Sequence, residues 1–365
     1  MKHRRSSLVI LTFLSASALA LTGCSGTGNP AADAAHSASP EANSSASGTL
    51  TVATQGGTFQ TVELSTAVPG LAKSDPDVKV QFDVGDFNTI PTKVKTQASS
   101  KVGSIDLVEL QNTNLQQLAQ QGLLAKIDLS KLKNAKYIQE GLDNTYWIPQ
   151  VQTGGTIVYN TKTVKPAPTS YADLFNGKYK GKVGALNYQQ YLYAAASYAK
   201  GNKNPGTDWD AGWPTLEKVA PDMQYFTSWD LMGQAMASGQ IDIGIAFKSR
   251  STAWLSAGGA SLAQVVPKAG ALTTLFGVGI PKNAPNPEAA YAYLDQLLSP
   301  AVQQSFSKTT GYAPVITNAG LSPELLKQVS FPADQEKNLV QTNTEYVVKH
   351  DADWAKKWQQ DIATK

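Results

Sequence analysis

Thr49-Leu50-Thr51-Val52-Ala53 alternates polar and apolar side chains, and Gln55-Gly56-Gly57-Thr58 follows with paired glycines. Period-two alternation marks a half-buried strand, and the glycines predict a turn that leads into a helix. The same order of events repeats downstream. Val78, Val80, Phe82 and Val84 alternate with polar residues as a second strand, and Ile105-Asp106-Leu107-Val108 supplies a third. A short helix over 114–121 then stops at Gly122. Strands alternating with helices imply parallel pairing and right-handed crossovers, an α/β architecture.

Further along the pattern begins again. Thr156-Ile157-Val158-Tyr159 reads as a strand, and Lys182-Val183-Gly184-Ala185-Leu186 as another that runs into a helix over 189–199. Ser228 is placed to cap a helix over 230–237 that ends near Gly239, ahead of the strand Ile241-Asp242-Ile243-Gly244-Ile245-Ala246. Phe276-Gly277-Val278-Gly279-Ile280-Pro281 is the last strand expected. Asn286-Pro287-Glu288 and Ser299-Pro300-Ala301 each set a proline in a first helical turn, and the second of these helices stops at Gly311. Ser322-Pro323-Glu324 and the stretch 345–361 supply the final helices. Neither an internal repeat nor a late apolar run of membrane-spanning length is present.

The 365 residues suggest about two domains, and the N-terminal part belongs to neither. Lys2-His3-Arg4-Arg5 is a basic start, residues 8–21 are an apolar run interrupted only by Ser and Thr, and Leu21-Thr22-Gly23-Cys24 closes the segment. This is the layout of a signal peptide, expected over 1–23. Its end resembles a bacterial lipobox, in which the cysteine is lipidated and becomes the new N-terminus. Cys24 is the only cysteine in the chain. Each buried CH₂ of its acyl chains would add about 0.8 kcal/mol of membrane affinity, so export and anchoring to the outer face of the cell membrane are expected. Residues 24–48 are nearly all small or polar and cannot offset their own ordering entropy. They read as a flexible tether with a reach of about 25–30 Å.

Composition narrows the function. The chain carries 31 Lys+Arg against 28 Asp+Glu, and loss of the segment with Lys2, Arg4 and Arg5 would leave it neutral. A nucleic-acid partner is therefore not expected, since binding one needs a basic surplus. Hydrophobic content of 42% with 16% charged residues excludes wholesale disorder. One Cys and three His exclude disulfide frameworks and Cys/His metal cages. Catalysis has little to stand on either. His350 lies in a polar helical stretch and reads as a surface residue, and HExxH, GxSxG and GxxxxGK[ST] are all absent. No spacing singles out an acid pair, and nothing calls for a cofactor or a metal.

Binding has more support. Gln55-Gly56-Gly57 at the first turn either offers backbone N–H groups to a ligand or is a plain tight turn. Tyr188, Tyr191 and Tyr193 cluster where a strand runs into a helix, Trp229 opens a helix, Phe247 ends a strand, and Tyr312 follows the stop at Gly311. In open α/β sheets ligands sit beyond the carboxyl ends of the strands, where amphipathic rings line pockets. Each ring alone would pass as filler; together, in two α/β units, they point to a cleft. Lys248 and Arg250 are either solvated loop charges or anchors for an anionic group. Trp209, Trp213, Trp354 and Trp358 fall in helical stretches and read as packing.

A longer ordered series carries a resemblance. Gly103-Ser104-Ile105-Asp106-Leu107-Val108, Gln121-Gly122-Leu123-Leu124 with Ile127-Asp128, Tyr179-Lys180-Gly181-Lys182-Val183 and Gly239-Gln240-Ile241-Asp242-Ile243-Gly244 come first. Val266-Pro267-Lys268-Ala269-Gly270, Ile280-Pro281-Lys282-Asn283-Ala284, Asn286-Pro287-Glu288-Ala289-Ala290, Leu298-Ser299-Pro300 and Gly311-Tyr312-Ala313-Pro314 follow. With the lipobox and tether, this series resembles the solute-binding proteins of ABC importers, most closely the spermidine/putrescine-binding group.

The resemblance implies a two-lobe, type II periplasmic-binding-protein-like fold with two crossing segments. It places one lobe at 49–158 plus 275–312 and the other at 159–274 plus 313–365. The implied mechanism is hinge closure on a solute, not catalysis, by a monomer that hands its cargo to a membrane permease and its ATPase. Gly57, Thr58, Thr113, Tyr188, Tyr191, Trp229, Phe247, Lys248, Thr274, Phe276 and Tyr312 make up the expected ligand set. Here the family's acidic pair falls on Tyr188 and Tyr191 and its third acid on Phe276. Its two Trp positions fall on Thr274 and Phe247, while a cleft Tyr is kept as Tyr312.

A desolvated ammonium without a carboxylate costs several kcal/mol, whereas a cation–π contact returns ~0.5–2 kcal/mol. A slot without acids thus disfavours a polyamine, and a neutral or zwitterionic nitrogen compound, such as an amino-acid derivative, is expected. Its carboxylate would lie near Lys248 or Arg250. The competing readings are a surface sensor or adhesin on the same fold and a true spermidine/putrescine binder.

Overall fold

The structure is a computed structural model that describes residues 46–187, 190–202, 206–257, 261–268, 270–337 and 339–363. The expected signal peptide, Cys24, most of the tether, and Tyr188 lie outside these residues. At the end of the tether the sequence reading needs a correction. Ala46 is already buried in a hydrophobic core, and Gly48 donates its N–H to Asp77 O at 2.9 Å.

Strands β1 (Gly48–Thr54), β2 (Val78–Val84) and β3 (Leu107–Gln111) pair in parallel in the order β2-β1-β3. Helical segments between them, including Val68–Ser74 and Thr89–Gln97, carry the chain back each time, as parallel pairing demands. The chain then lays down β4 (Trp147–Asn160), β5 (Val183–Leu186), β6 (Met223–Phe226), β7 (Ile243–Phe247), β8 (Leu262–Val265), β9 (Ala271–Gly279) and β10 (Leu339–Gln341). The full order is β2-β1-β3-β9-β4-β7-β5-β6, with β8 on β4 and β10 on β9.

Two strands belong to both halves of this order. Residues 147–154 of β4 pair antiparallel with β9, which also borders β3, and residues 155–159 of β4 pair antiparallel with β7. β4 and β9 are thus the two crossing segments between two α/β lobes. Gly154 marks the changeover. A Cβ there would stand 2.9 Å from Phe331 Cζ, so the bare glycine lets the phenylalanine ring lie on the crossing strand.

A separate core fills each side of the crossing. One gathers Leu50, Val52, Ile148, Val278, Tyr293 and Phe306. The other gathers Ile157, Leu192, Trp209, Ile243, Trp354 and Trp358. The expected boundary at 312 is corrected by Val315, Ile316 and Ala319, which pack in the first core. Backbone pairing holds them there: Ala313 and Gln152 exchange hydrogen bonds of 2.9 and 3.0 Å, and Ile316 bridges Ile138.

The four tryptophans read as packing are buried. Trp354 stacks on Trp209 and Tyr193 at centroid distances of 5.2 and 5.5 Å, and Tyr193 stacks on Trp213 at 5.3 Å. This ladder fixes the C-terminal helix Thr344–Trp358 in the second core.

Candidate functional site

A cavity of about 530 Å³ opens where the carboxyl ends of the parallel strands converge. The glycine turn after β1 supplies Gly57 and Thr58 to its wall, Phe87 and Asn88 come from beyond β2, and Gln111 and Thr113 stand where β3 passes into the helix Asn112–Gln120. From the other lobe, Leu186 ends β5, Tyr191 lies in the helix Gln190–Ala199, Trp229 starts the helix after β6, and Phe247 ends β7. The turn needs its glycines, since Gly56 and Gly57 hold φ of 72° and 58°, in the left-handed region.

Rings face the cavity from both lobes. Phe276 and Tyr312 meet edge to face at 5.4 Å, and Phe59 lies 5.5 Å from Phe276 and 5.7 Å from Tyr312. Opposite them Tyr191 and Phe247 form a T at 5.1 Å, with Trp229 at 5.2 Å from Phe247. Tyr191 is buried, and burial pushes its hydroxyl up to about 12 against the polar groups of Thr274, Thr342 and Gln111. Burial likewise raises the Tyr312 hydroxyl, while the nearby Arg250 charge works against the rise.

Of the expected ligand set, Gly57, Thr58, Thr113, Tyr191, Trp229, Phe247, Phe276 and Tyr312 line the cavity together. Two members do not, and both are corrections. Thr274 is 1% exposed and sits behind the wall, its Oγ1 accepting the Gln111 Nε2–H at 2.8 Å. It supports a wall residue instead of being one. Lys248 is 7% exposed and points away from the cleft, donating to the Gln328 carbonyl with its Nζ 5.8 Å from the Phe331 ring centroid. Burial lowers its pKa to about 8.

The reason lies in a helix the sequence reading missed. Residues Lys248–Ser256 are helical, and side chains two apart on a helix lie on opposite faces. Arg250 therefore enters the cavity while Lys248 leaves it, so the choice between solvated charge and anchor resolves differently for the two. Arg250 Nε is buried without a hydrogen-bond partner among the described residues.

The expected absence of acids also needs correction. Val347, Val348 and Asp351 of the C-terminal helix line the cavity, and Gln190 Nε2 donates to Asp351 Oδ1 at 2.7 Å. Among the described lining residues Arg250 and Asp351 are the charged ones. Amides make up much of the remaining polar surface, from Gln55, Asn88, Gln111, Asn114, Gln117 and Gln190. Position at strand ends could have flagged Gln111 and Asn114. Nothing local marks Asp351, which reaches the site only through packing of a distant helix. No metal-binding group of His, Cys, Asp or Glu occurs among the described residues.

Two α/β lobes on two crossing strands, with a ring-lined cleft at the strand ends, define a solute-binding protein of the ABC-transporter type. The chain belongs to the bacterial extracellular solute-binding protein family, whose profile matches residues 70–333. The family binds solutes and is not enzymatic. The spermidine/putrescine-binding periplasmic protein of Escherichia coli K12 is 27% identical over 285 residues, 73% of this chain and 80% of that protein. Among solved structures, the Atu4243 GABA receptor superposes with a TM-score of 0.76 at 22% identity, covering 86% of this chain and 97% of the other. MotA from Agrobacterium tumefaciens B6, in complex with glucopine, gives a TM-score of 0.71 at 21% identity over 86% and 99%. These likenesses establish the fold.

Proposed function

We propose that this chain is the lipid-anchored receptor of an ABC importer and takes up a small zwitterionic nitrogen compound, amino-acid-like in its charges. The observation that carries this reading is the charge balance of the cleft: among the described lining residues, one guanidinium and one carboxylate stand among rings and amides. A fully protonated polyamine brings two or more ammonium groups. Burying them against a single acid would leave at least one uncompensated charge, at a cost of several kcal/mol. A guanidinium with a buried, unpartnered Nε suits a carboxylate, which it grips through parallel hydrogen bonds.

Lipidation at Cys24 after removal of 1–23 would hold the receptor at the outer face of the membrane, with the tether running to about residue 45. We assign residues 46–153 and 274–321 to the first lobe and 155–272 and 339–363 to the second, on the membership of the two cores. Rings from both lobes would touch the solute, so its binding favours the closed arrangement, which a permease and its ATPase would then recognise.

Kinship with the E. coli spermidine/putrescine protein supports the competing polyamine reading. A thermal-shift series separates them, with mass spectrometry of solute retained through gentle purification. Zwitterions such as 4-aminobutyrate, glutamine or glucopine are expected to raise the melting temperature, and spermidine and putrescine to leave it unmoved. Stabilisation by the polyamines alone would overturn the proposal.

A further inference from the structure

The C-terminal helix reaches the cleft from the second core, although it lies far along the chain from every other lining segment. Its place is fixed by two indoles. Trp354 donates its ring N–H to Asp210 Oδ1 at 3.0 Å, and Trp358 donates to Asn187 Oδ1 at 3.0 Å. Trp354 is three residues beyond Asp351 and is clamped in the aromatic ladder, so the Asp351 backbone sits on a rigid support. Gln190, on the helix that also carries Tyr191, then orients the carboxylate through its 2.7 Å bond. A carboxylate accepts at two oxygens and from several donors at once, so this bond orients Asp351 without using up its acceptor capacity.

Arg250 is fixed separately. It follows β7 on the helix Lys248–Ser256, touches the Tyr312 hydroxyl, and takes part in none of the ion pairs formed among the described residues. The two charges of the described cleft thus come from different elements. Preorganised opposite charges set on scaffold helices are the arrangement that selects a ligand by its charge pattern.

We infer that Asp351 is the specificity-determining acceptor for the cationic nitrogen of the solute, with Arg250 and Tyr312 holding its anionic end. The inference rests on the zwitterion reading above and adds to it the residue that enforces the choice. The acid of the described cleft enters from the C-terminal helix. One carboxylate set against one guanidinium admits a ligand with one group of each sign. It rejects diamines, which meet an unpaired Arg250, and simple carboxylates, which leave Asp351 buried against an apolar end.

The test uses the mature chain and isothermal titration with 4-aminobutyrate, glutamine and glucopine, and with putrescine, spermidine and butyrate as single-sign controls. The wild type is expected to bind at least one zwitterion and none of the controls. Asp351→Asn should weaken that zwitterion by about 10- to 100-fold, the worth of one charge-assisted hydrogen bond. The same variant should bind the deaminated analogue of that zwitterion no worse than the wild type does. Asp351→Glu keeps the charge and should retain the preference for the zwitterion over its analogue. Melting of both ligand-free variants reports their folding. An Asp351→Asn variant that binds the zwitterion as tightly as the wild type, or that keeps the wild type's full preference for it over its deaminated analogue, overturns the role of Asp351 while the zwitterion reading stands. Wild-type binding of putrescine or spermidine, or of nothing in the panel, overturns both.

Discussion

Glu63, Glu109 and Gln150 meet in the first core at 0–1% exposure, beneath the glycine turn and β3. A register shift in β4 between Pro149 and Val151 leaves Gln150 out of the ladder. Its Nε2 donates to Glu63 Oε1 at 3.1 Å and Glu109 Oε1 at 3.0 Å. Burial raises both carboxyl pKa values, and for Glu63 the adjacent Glu109 charge raises it further. Two such groups side by side hold a proton between them.

The sign follows from linkage. Stability from a raised carboxyl is full below its unfolded value, near 4.5 for Glu, and is lost as the pH climbs through the folded value. Lys248 works in the opposite sense, its lowered pKa of about 8 adding stability from there up to its unfolded 10.5. Comparison of variants that both keep Lys248 isolates the acid pair. Glu63→Gln supplies a permanent neutral partner and is expected to flatten the fall of melting temperature above the unfolded value of 4.5, where each retained proton costs about 1.4 kcal/mol per pH unit. Parallel curves for wild type and variant would refute the shared proton. At this scale the sequence yielded the cleft rings, because rings at strand ends have a positional meaning. It did not yield the acid pair or Lys248, whose settings depend on tertiary contact and on the phase of a helix.

Elements were legible where the local chemistry is strong. Ser228, Asn286, Ser299 and Ser322 all cap helices with their side chains, and Gly239 and Gly311 end helices in the left-handed conformation. The three- and four-residue strands β6, β8 and β10 carry too little pattern to stand out. Only the end of β4 was read as a strand, because Pro149 and the pair Gly154-Gly155 look like breakers in a segment that is in fact fourteen residues long. Those glycines matter for the segment after Tyr312. The helix Pro323–Val329 and Phe331 lie across the crossing strand, tied to the second lobe by Lys248. Gly154→Val is expected to drive the Phe331 ring off the strand and cost about 1–3 kcal/mol. Phe331→Ala should cost less than the ~3–5 kcal/mol of a fully buried ring. The double variant should lose less than the sum, with a coupling of about 0.5–3 kcal/mol in urea unfolding. Simple additivity would mean that the ring and the glycine do not share the crossing.

At the scale of the whole molecule, two lobes were legible because two strand–helix series occur in one chain of suitable length, whereas their seam was not. The seam depends on residues 313–319 turning back to pair with Gln152, a contact between distant segments. It sets Tyr312 of the first core against the second lobe, where its hydroxyl faces Arg250 and Gly311 packs beside the Ser249 backbone. The approach of this hydroxyl to Arg250 across the cleft favours the lobes drawing toward each other. A solute that touches both walls needs the same approach, and whatever favours the approach beforehand lowers the cost of binding. Tyr312→Phe keeps the ring and removes the hydroxyl that faces Arg250. It is expected to enlarge the ligand-free radius of gyration in small-angle scattering and to weaken the solute by about 3- to 10-fold, the worth of one neutral hydrogen bond. Saturating solute should bring wild type and variant to the same radius, because the ring contacts that draw the lobes together are intact. A ligand-free radius identical in both proteins would show that the Tyr312 hydroxyl serves only its own lobe.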